Sequence, residues 1–138
     1  MIRELNKNDY IEYISLINLF RPLDNNITKE DFENIYDKIF LKNKIFVIEK
    51  NNKIVGSVKL LIEHKMIHNM SLYGRIEDVI VDNNFRNRGI GYKLIKYVVD
   101  YCKNNNFFKV TLCCNKELVP FYEKNKFEIY QVHMSQLC

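Results

Sequence analysis

The apolar positions of this chain change period along its length, and each change marks an element. "IREL" at residues 2–5 reads as a first short strand. "DYIEYISLINLF" gathers Tyr10, Ile14, Leu16 and Ile17 near one face, which predicts a helix ending before Pro22, with "PLDNN" as the following loop. In "TKEDFENIYDKIF", Phe32, Ile35, Tyr36, Ile39 and Phe40 recur at helical spacing, and Thr28 with Asp31 three residues on resembles a capping box. "KIFVIEK" and "KIVGSVKLLIEHK" are strand-like runs joined by Asn51-Asn52, a pair that tolerates positive φ and predicts a tight hairpin. "RIEDVIV" is the next strand. Ile90, Leu94, Val98 and Cys102, spaced by four, predict a helix from Gly89 to about Asn104. "FFKVTLCC" reads as a strand, "LVPFYEKN" as a short helix and "FEIYQVHM" as a last strand. The order β-α-α-β-β-β-α-β-α-β combines an antiparallel meander with a βα crossover. It predicts an α/β (α+β) fold with a central, mixed sheet flanked by helices.

Composition narrows this picture. The 138 residues fit one domain, here expected to span 1–138, and can bury a single core without staples. The net charge of +4 is too mild to imply nucleic acid by itself, though it suits a polyanionic ligand. No apolar run is long enough for a membrane span, and "MIRELNKNDY" does not read as a signal peptide, so a cytoplasmic location is expected. The cysteines Cys102, Cys113, Cys114 and Cys138 form no CxxC pair and no zinc-type spacing with histidine. Cys113 and Cys114, adjacent on the expected strand, point to opposite faces, so reduced thiols and no metal are expected.

The chain has only four glycines, and two lie in "DNNFRNRGIG", between a strand and a helix start. Unpaired backbone N–H groups and a helix N-terminus in such a loop can hold phosphate oxygens, and Arg86 and Arg88 add charge. A Walker A loop requires GK[ST], whereas Tyr92-Lys93-Leu94 follows Gly91. A dinucleotide turn requires GxGxxG directly after the strand, whereas Leu94 stands at the third glycine's place. Arg86-Asn87-Arg88-Gly89-Ile90-Gly91 fits the [RQ]xxGxG loop of acetyl-CoA-dependent N-acyltransferases. Taken alone, these six residues fit a plain surface turn about equally well.

Further motifs stand in a fixed order around this loop: Lys65 with His68, then Gly74-Arg75-Ile76-Glu77-Asp78-Val79-Ile80-Val81, then Arg86 to Gly91, then Phe121-Tyr122-Glu123-Lys124. With this set the chain resembles the GNAT acetyltransferases, and within them the glucosamine-6-phosphate N-acetyltransferases, from Ile2 to Met134. The resemblance implies direct acetyl transfer from acetyl-CoA to the amino group of glucosamine 6-phosphate, on the way to UDP-N-acetylglucosamine. It implies a GNAT fold, with a bulge that splays the fourth strand from the fifth, and a homodimer with sites at the interface. It implies cofactor contacts from Val79, Ile80, Val81, Arg86, Asn87, Arg88, Gly89, Ile90, Gly91 and Tyr92, with Tyr122 placed near the CoA sulfur. Glu77 and Asp78 are implied at the reacting end, with Lys65, His68, Phe108 and Lys109 also on the substrate side, the last two facing the second subunit's site.

Several positions depart from the family pattern. Cys113 stands where an acidic residue is usual and is carried over as a substrate-side position; Leu118 replaces an asparagine of the CoA arm site. Leu137 replaces a phosphate-binding arginine, and Pro22 lies nearest a substrate-contacting threonine, with Arg21 beside it as a substitute charge. "KNKF" lacks the family glycine before Phe127, so Asn125 is expected at positive φ. Most departures cluster on the substrate side, which keeps two alternatives open: an acetyltransferase with a different small amine, and a CoA-binding module with little turnover. Read singly, Glu77-Asp78 fits a solvated strand end and Tyr122 a core tyrosine.

Overall fold

The computed structural model describes residues 1–138. Strands β1 (Ile2–Glu4), β2 (Lys44–Lys50), β3 (Lys53–His64), β4 (Leu72–Val81) and β5 (Phe107–Leu112) form one sheet in the order β1-β2-β3-β4-β5. The first four are antiparallel to their neighbours, and β4 and β5 are parallel. The parallel pair requires a crossover, supplied by helix α4 (Ile90–Asn104). Helices α1 (Tyr10–Phe20) and α2 (Lys29–Phe40) precede the hairpin, α3 (Ile67–Met70) is a single turn, and α5 (Val119–Glu123) follows β5.

The central strands alternate between two cores, as a strand buried on both faces must. Phe46 and Ile48 of β2 pack with Leu94, Ile95, Val98 and Cys102 of α4. Ile45 and Val47 of the same strand pack with Tyr13, Leu16 and Phe32 of the other two long helices. The expected four-residue stripe of α4 is therefore its buried face. In α1 the deepest residues are Tyr13 and Leu16, with Tyr10, Ile14 and Ile17 partly buried around them.

The local signals act as the chain reads. Thr28 and Asp31 close a capping box at α2, a motif worth about 1 kcal/mol. Asn51 and Asn52 both adopt positive φ, at 51° and 58°, which turns β2 tightly into β3.

Three expectations are corrected. "FEIYQVHM" forms no strand: the chain beyond Phe127 has no regular structure, and Ile129, Tyr130, Val132 and Met134 are exposed. An isolated strand leaves its backbone groups without partners, and this segment joins neither edge of the sheet. Lys126, not Asn125, takes the positive φ, at 64°, because the Asn125 N–H still bonds the Tyr122 carbonyl in a helical turn. β5 ends at Leu112, so Cys113 and Cys114 lie beyond the strand, and both are exposed.

Candidate active site

The pairing of β3 with β4 holds Ser57 opposite Ile80 and Lys59 opposite Glu77. Val58 alone therefore faces both Asp78 and Val79, which is a β-bulge in β4. Asp78 sits at φ 50°, a left-handed conformation that aspartate tolerates better than most residues. On the other side, pairing with β5 stops at Ile76 opposite Leu112. Beyond that rung the backbone of Glu77 to Val81 has no strand partner towards β5. The bulge twists β4 away, and a wedge opens between the strands.

A cavity of about 750 Å³ occupies this wedge. Val79, Ile80 and Val81 form one wall. Arg86, Asn87, Gly89, Ile90, Gly91 and Tyr92 form the second, from the loop and the first turn of α4. Leu118, Phe121, Tyr122 and Lys124 close the third. The expected cofactor residues thus converge on one cavity, except Arg88, whose guanidinium lies 5.3 Å from the Phe85 ring centroid instead. Gly89 caps α4 at φ 74°, which a β-carbon would strain.

Burial holds the Tyr122 phenol above its usual pKa range, with the charge of nearby Cys114 acting in the same direction. The phenol is therefore a protonated donor at neutral pH. Burial likewise raises the Cys114 thiol, aided by Cys113.

Leu19 and Phe20, at the end of α1, also line the cavity. Neither is among the expected site residues. Their only signal in the sequence is an adjacent apolar pair at the helix end, just before Arg21-Pro22. Asn83 and Phe85, in the turn between β4 and the loop, line the cavity from outside that set as well.

The residues expected on the substrate side lie outside this cavity. Glu77 is paired with Arg75 at 2.7 Å, and Asp78 is exposed at the bulge. Lys65, His68, Phe108 and Lys109 gather around Tyr73, at the opposite end of β4. His68 stacks on Phe108 at 4.0 Å and 14°, and Phe108 lies parallel to Tyr73 at 5.6 Å. Lys65 and Lys109 lie 5.1 Å and 4.9 Å from the Tyr73 ring centroid, and Lys109 also lies 4.7 Å from that of Tyr130. Lys65 is further paired with Glu63 at 2.8 Å. Tyr73 stands five rises before Asp78 at the bulge, about 16 Å along the strand. Tyr73 is the organising residue of this cluster, and it lies in the part of β4 before Arg75, since the strand starts at Leu72 and not at the expected Arg75. His68, Asn69 and Met70 all have positive φ, so the turn carrying the histidine is strained. Leu137 and Pro22 are exposed, and the Arg21 guanidinium lies 5.7 Å from the Phe20 ring centroid.

Comparison with known proteins agrees with this geometry. The sequence profile of the acetyltransferase (GNAT) family matches residues 11–127. The glucosamine 6-phosphate N-acetyltransferase of Arabidopsis thaliana is 33% identical over 115 residues, covering 80% of this chain and 77% of that protein. Glucosamine 6-phosphate N-acetyltransferase 1 of Dictyostelium discoideum is 34% identical over 113 residues, covering 78% and 72%. The crystal structure of the Arabidopsis enzyme superposes with a TM-score of 0.91 at 31% identity, over 99% of this chain and 97% of that one. The chain belongs to the acetyltransferase (GNAT) family.

Proposed function

We propose that this protein transfers the acetyl group of acetyl-CoA directly to the 2-amino group of glucosamine 6-phosphate. The product, N-acetylglucosamine 6-phosphate, serves UDP-N-acetylglucosamine synthesis in the cytoplasm. The observation that carries the reading is the convergence of the β4 bulge, the Arg86–Gly91 loop and Tyr122 on one cavity. The names of its relatives support the amino-sugar phosphate as acceptor. One N-acetyltransferase domain spans residues 1–138, and no nucleic acid or metal enters the reaction. No helix is long and apolar enough to cross a membrane.

Each chemical requirement has a residue to meet it. Pyrophosphate oxygens meet the loop's N–H groups and the positive end of α4, with Arg86 adding charge from the cavity wall and Arg88 from beside it, on the Phe85 ring. Among Val79 to Val81, the backbone N–H groups that point away from β3 face the acetyl carbonyl and the pantetheine arm, and stabilise the oxyanion as the amine attacks. The Tyr122 phenol donates a proton or hydrogen bond to the departing thiolate. Glu77 and Asp78 hold the amino sugar. With Cys113 in place of an acidic residue, the ammonium proton leaves to water, directly or through the exposed Asp78 carboxylate.

The protein works as a homodimer. Lys65, His68, Phe108 and Lys109 lie too far along β4 to serve their own cavity, and serve that of the partner. The outer edge of β5 has no strand neighbour. The apolar residues Tyr130, Val132 and Met134 recur at every second position of the unpaired C-terminal segment, a pattern suited to a strand that pairs between copies.

A thiol-release assay with acetyl-CoA and a panel of amines tests the activity. Release is expected with glucosamine 6-phosphate and to be weaker with glucosamine. Equal release from both defeats the sugar-phosphate assignment. The presence of Cys113 favours, as a second reading, transfer to a different small amine, which another member of the panel would reveal.

A further inference from the structure

Asp82 is the one charged residue of the chain that is buried, at 1% exposure. A carboxylate in that position is costly unless it is both paired and hydrogen-bonded. Here every polar group of the residue is used. Oδ2 accepts from Lys53 Nζ at 2.9 Å, and Oδ1 accepts from the Asn84 N–H at 2.9 Å. The Asp82 N–H donates to the Val55 carbonyl at 2.9 Å, and its carbonyl accepts from the Phe85 N–H at 2.8 Å. Two bonds therefore reach back to β3, and two reach forward into the turn that opens the phosphate loop. The Lys53 ammonium holds the carboxyl below the usual carboxylate range, and the Asn84 N–H acts in the same direction.

Lys53 is the first residue after the Asn51-Asn52 turn, so the tight hairpin sets where its side chain starts. Asp82 also lines a small cavity of about 120 Å³ with Glu12, Ser15 and Leu19 of α1. Leu19 borders this cavity and the larger one, whereas Asp82 borders only the smaller. The end of β4, the β2–β3 hairpin and α1 thus meet at a carboxylate that touches no reacting atom.

We infer that Asp82, bridged to Lys53, is a positioning residue that aims the Asn83–Arg88 segment for acetyl-CoA. This rests on the reading of that loop as the acetyl-CoA loop. An apolar residue would be buried at lower cost. The carboxylate adds direction: it fixes the first turn after β4 at once to its own next residues and to a separate hairpin.

The test compares Asp82→Asn, Lys53→Met and the double variant with the parent. KM is measured for each substrate separately, with calorimetric binding of acetyl-CoA and thermal melting alongside. Each single change is expected to raise the KM and Kd for acetyl-CoA about fivefold or more, with kcat at saturation and the amine KM changed less than about twofold. The double variant, which removes both charges, is expected to recover part of the loss. A merely structural role would move both substrates' parameters together. Variants that fold and bind acetyl-CoA with parental affinity, or that lose kcat at unchanged affinity, overturn the inference. If a single variant does not fold, Asp82→Ser takes its place, because it keeps an acceptor for the Asn84 N–H without the bridge to Lys53; the same outcomes decide. Failure of the parent to bind acetyl-CoA defeats the loop reading itself, and is a separate result.

Discussion

A β-carbon on Gly91 would stand 2.9 Å from Cζ of Phe121, so the first turn of α4 touches the helix that carries Tyr122 through a residue without a side chain. Phe121 in turn meets Tyr122 edge-on, with centroids 4.9 Å apart at 78°. Gly91→Ala therefore has to push the Phe121 ring, and with it the phenol. The expected result is a lowered kcat and a stability loss of about 1 kcal/mol or more. Gly89 differs, since a β-carbon there meets nothing within 4 Å and the strain lies in its φ of 74°. Gly89→Ala is expected to cost about 1–2 kcal/mol in backbone strain and to weaken acetyl-CoA binding more than turnover. Calorimetric binding and steady-state kinetics on both variants separate the two cases. A Gly91→Ala protein with parental kcat would refute the coupling through Phe121.

Tyr122→Phe removes the proposed donor and keeps the ring that packs in the core. Turnover is expected to fall by about tenfold or more while acetyl-CoA affinity changes little, because the hydroxyl matters as the thiolate departs. Parental kcat in a folded variant would reject the role.

Much of the cavity was readable because its parts are contiguous in sequence. The bulge strand, the loop and the first turn of α4 occupy residues 77–92, and turn chemistry with an ordered motif set exposes such a block. The wall from Leu19 and Phe20 was not readable, since nothing local says that the end of α1 reaches β4. Tyr73 was missed for the same reason: its meaning comes from Lys65, His68, Phe108 and Lys109, which arrive from other elements. The false last strand shows the opposite error. Alternating apolar residues specify a strand only where they pair with an edge, and residues 128–134 pair with neither edge of their own sheet, although the outer edge of β5 is free.

Asp78 holds the bulge at φ 50°, which costs a non-glycine residue about 1–3 kcal/mol. Asp78→Asn and Asp78→Gly both suit that conformation, so melting temperatures at or above the parent are expected. Asp78→Val is expected to destabilise by at least about 1 kcal/mol, because a β-branched residue resists positive φ. Loss of activity in the stable Asn and Gly variants would then report the carboxylate rather than the bulge. Equal stability of the Val variant would show that the bulge is not strained.

Cys102 lies 1% exposed between α4 and the sheet, and burial pushes its thiol from 9.0 up to about 12. The folded protein thus holds this proton more tightly than the unfolded chain. The contribution to stability is full below pH 9.0 and is lost as pH rises towards about 12. In the native protein at pH 8, alkylation is expected at Cys113, Cys114 and Cys138, all exposed, and not at Cys102. Mass spectrometry reads the pattern directly. Cys102→Ala should flatten the alkaline fall in melting temperature, and an unchanged fall would place its origin elsewhere.

Lys109 and Tyr122 supply the sharpest test of a shared site, because the proposal puts the lysine of one copy beside the tyrosine of the other. Lys109→Ala and Tyr122→Phe are each expected to be nearly inactive as homodimers. In a mixed dimer one site receives both defects and the other receives neither. Random mixing after unfolding and refolding makes about half the dimers mixed, so about a quarter of the parental activity is expected to return. A site built within one chain has no such rescue, since every site then carries one defect. A chain truncated after Phe127 adds the second half of the test. If the exposed alternating segment pairs between copies, truncation is expected to yield a monomer by sedimentation and to abolish the rescue. Recovery by the mixture together with a dimeric truncated chain would keep the shared site and move the interface away from the C-terminal segment.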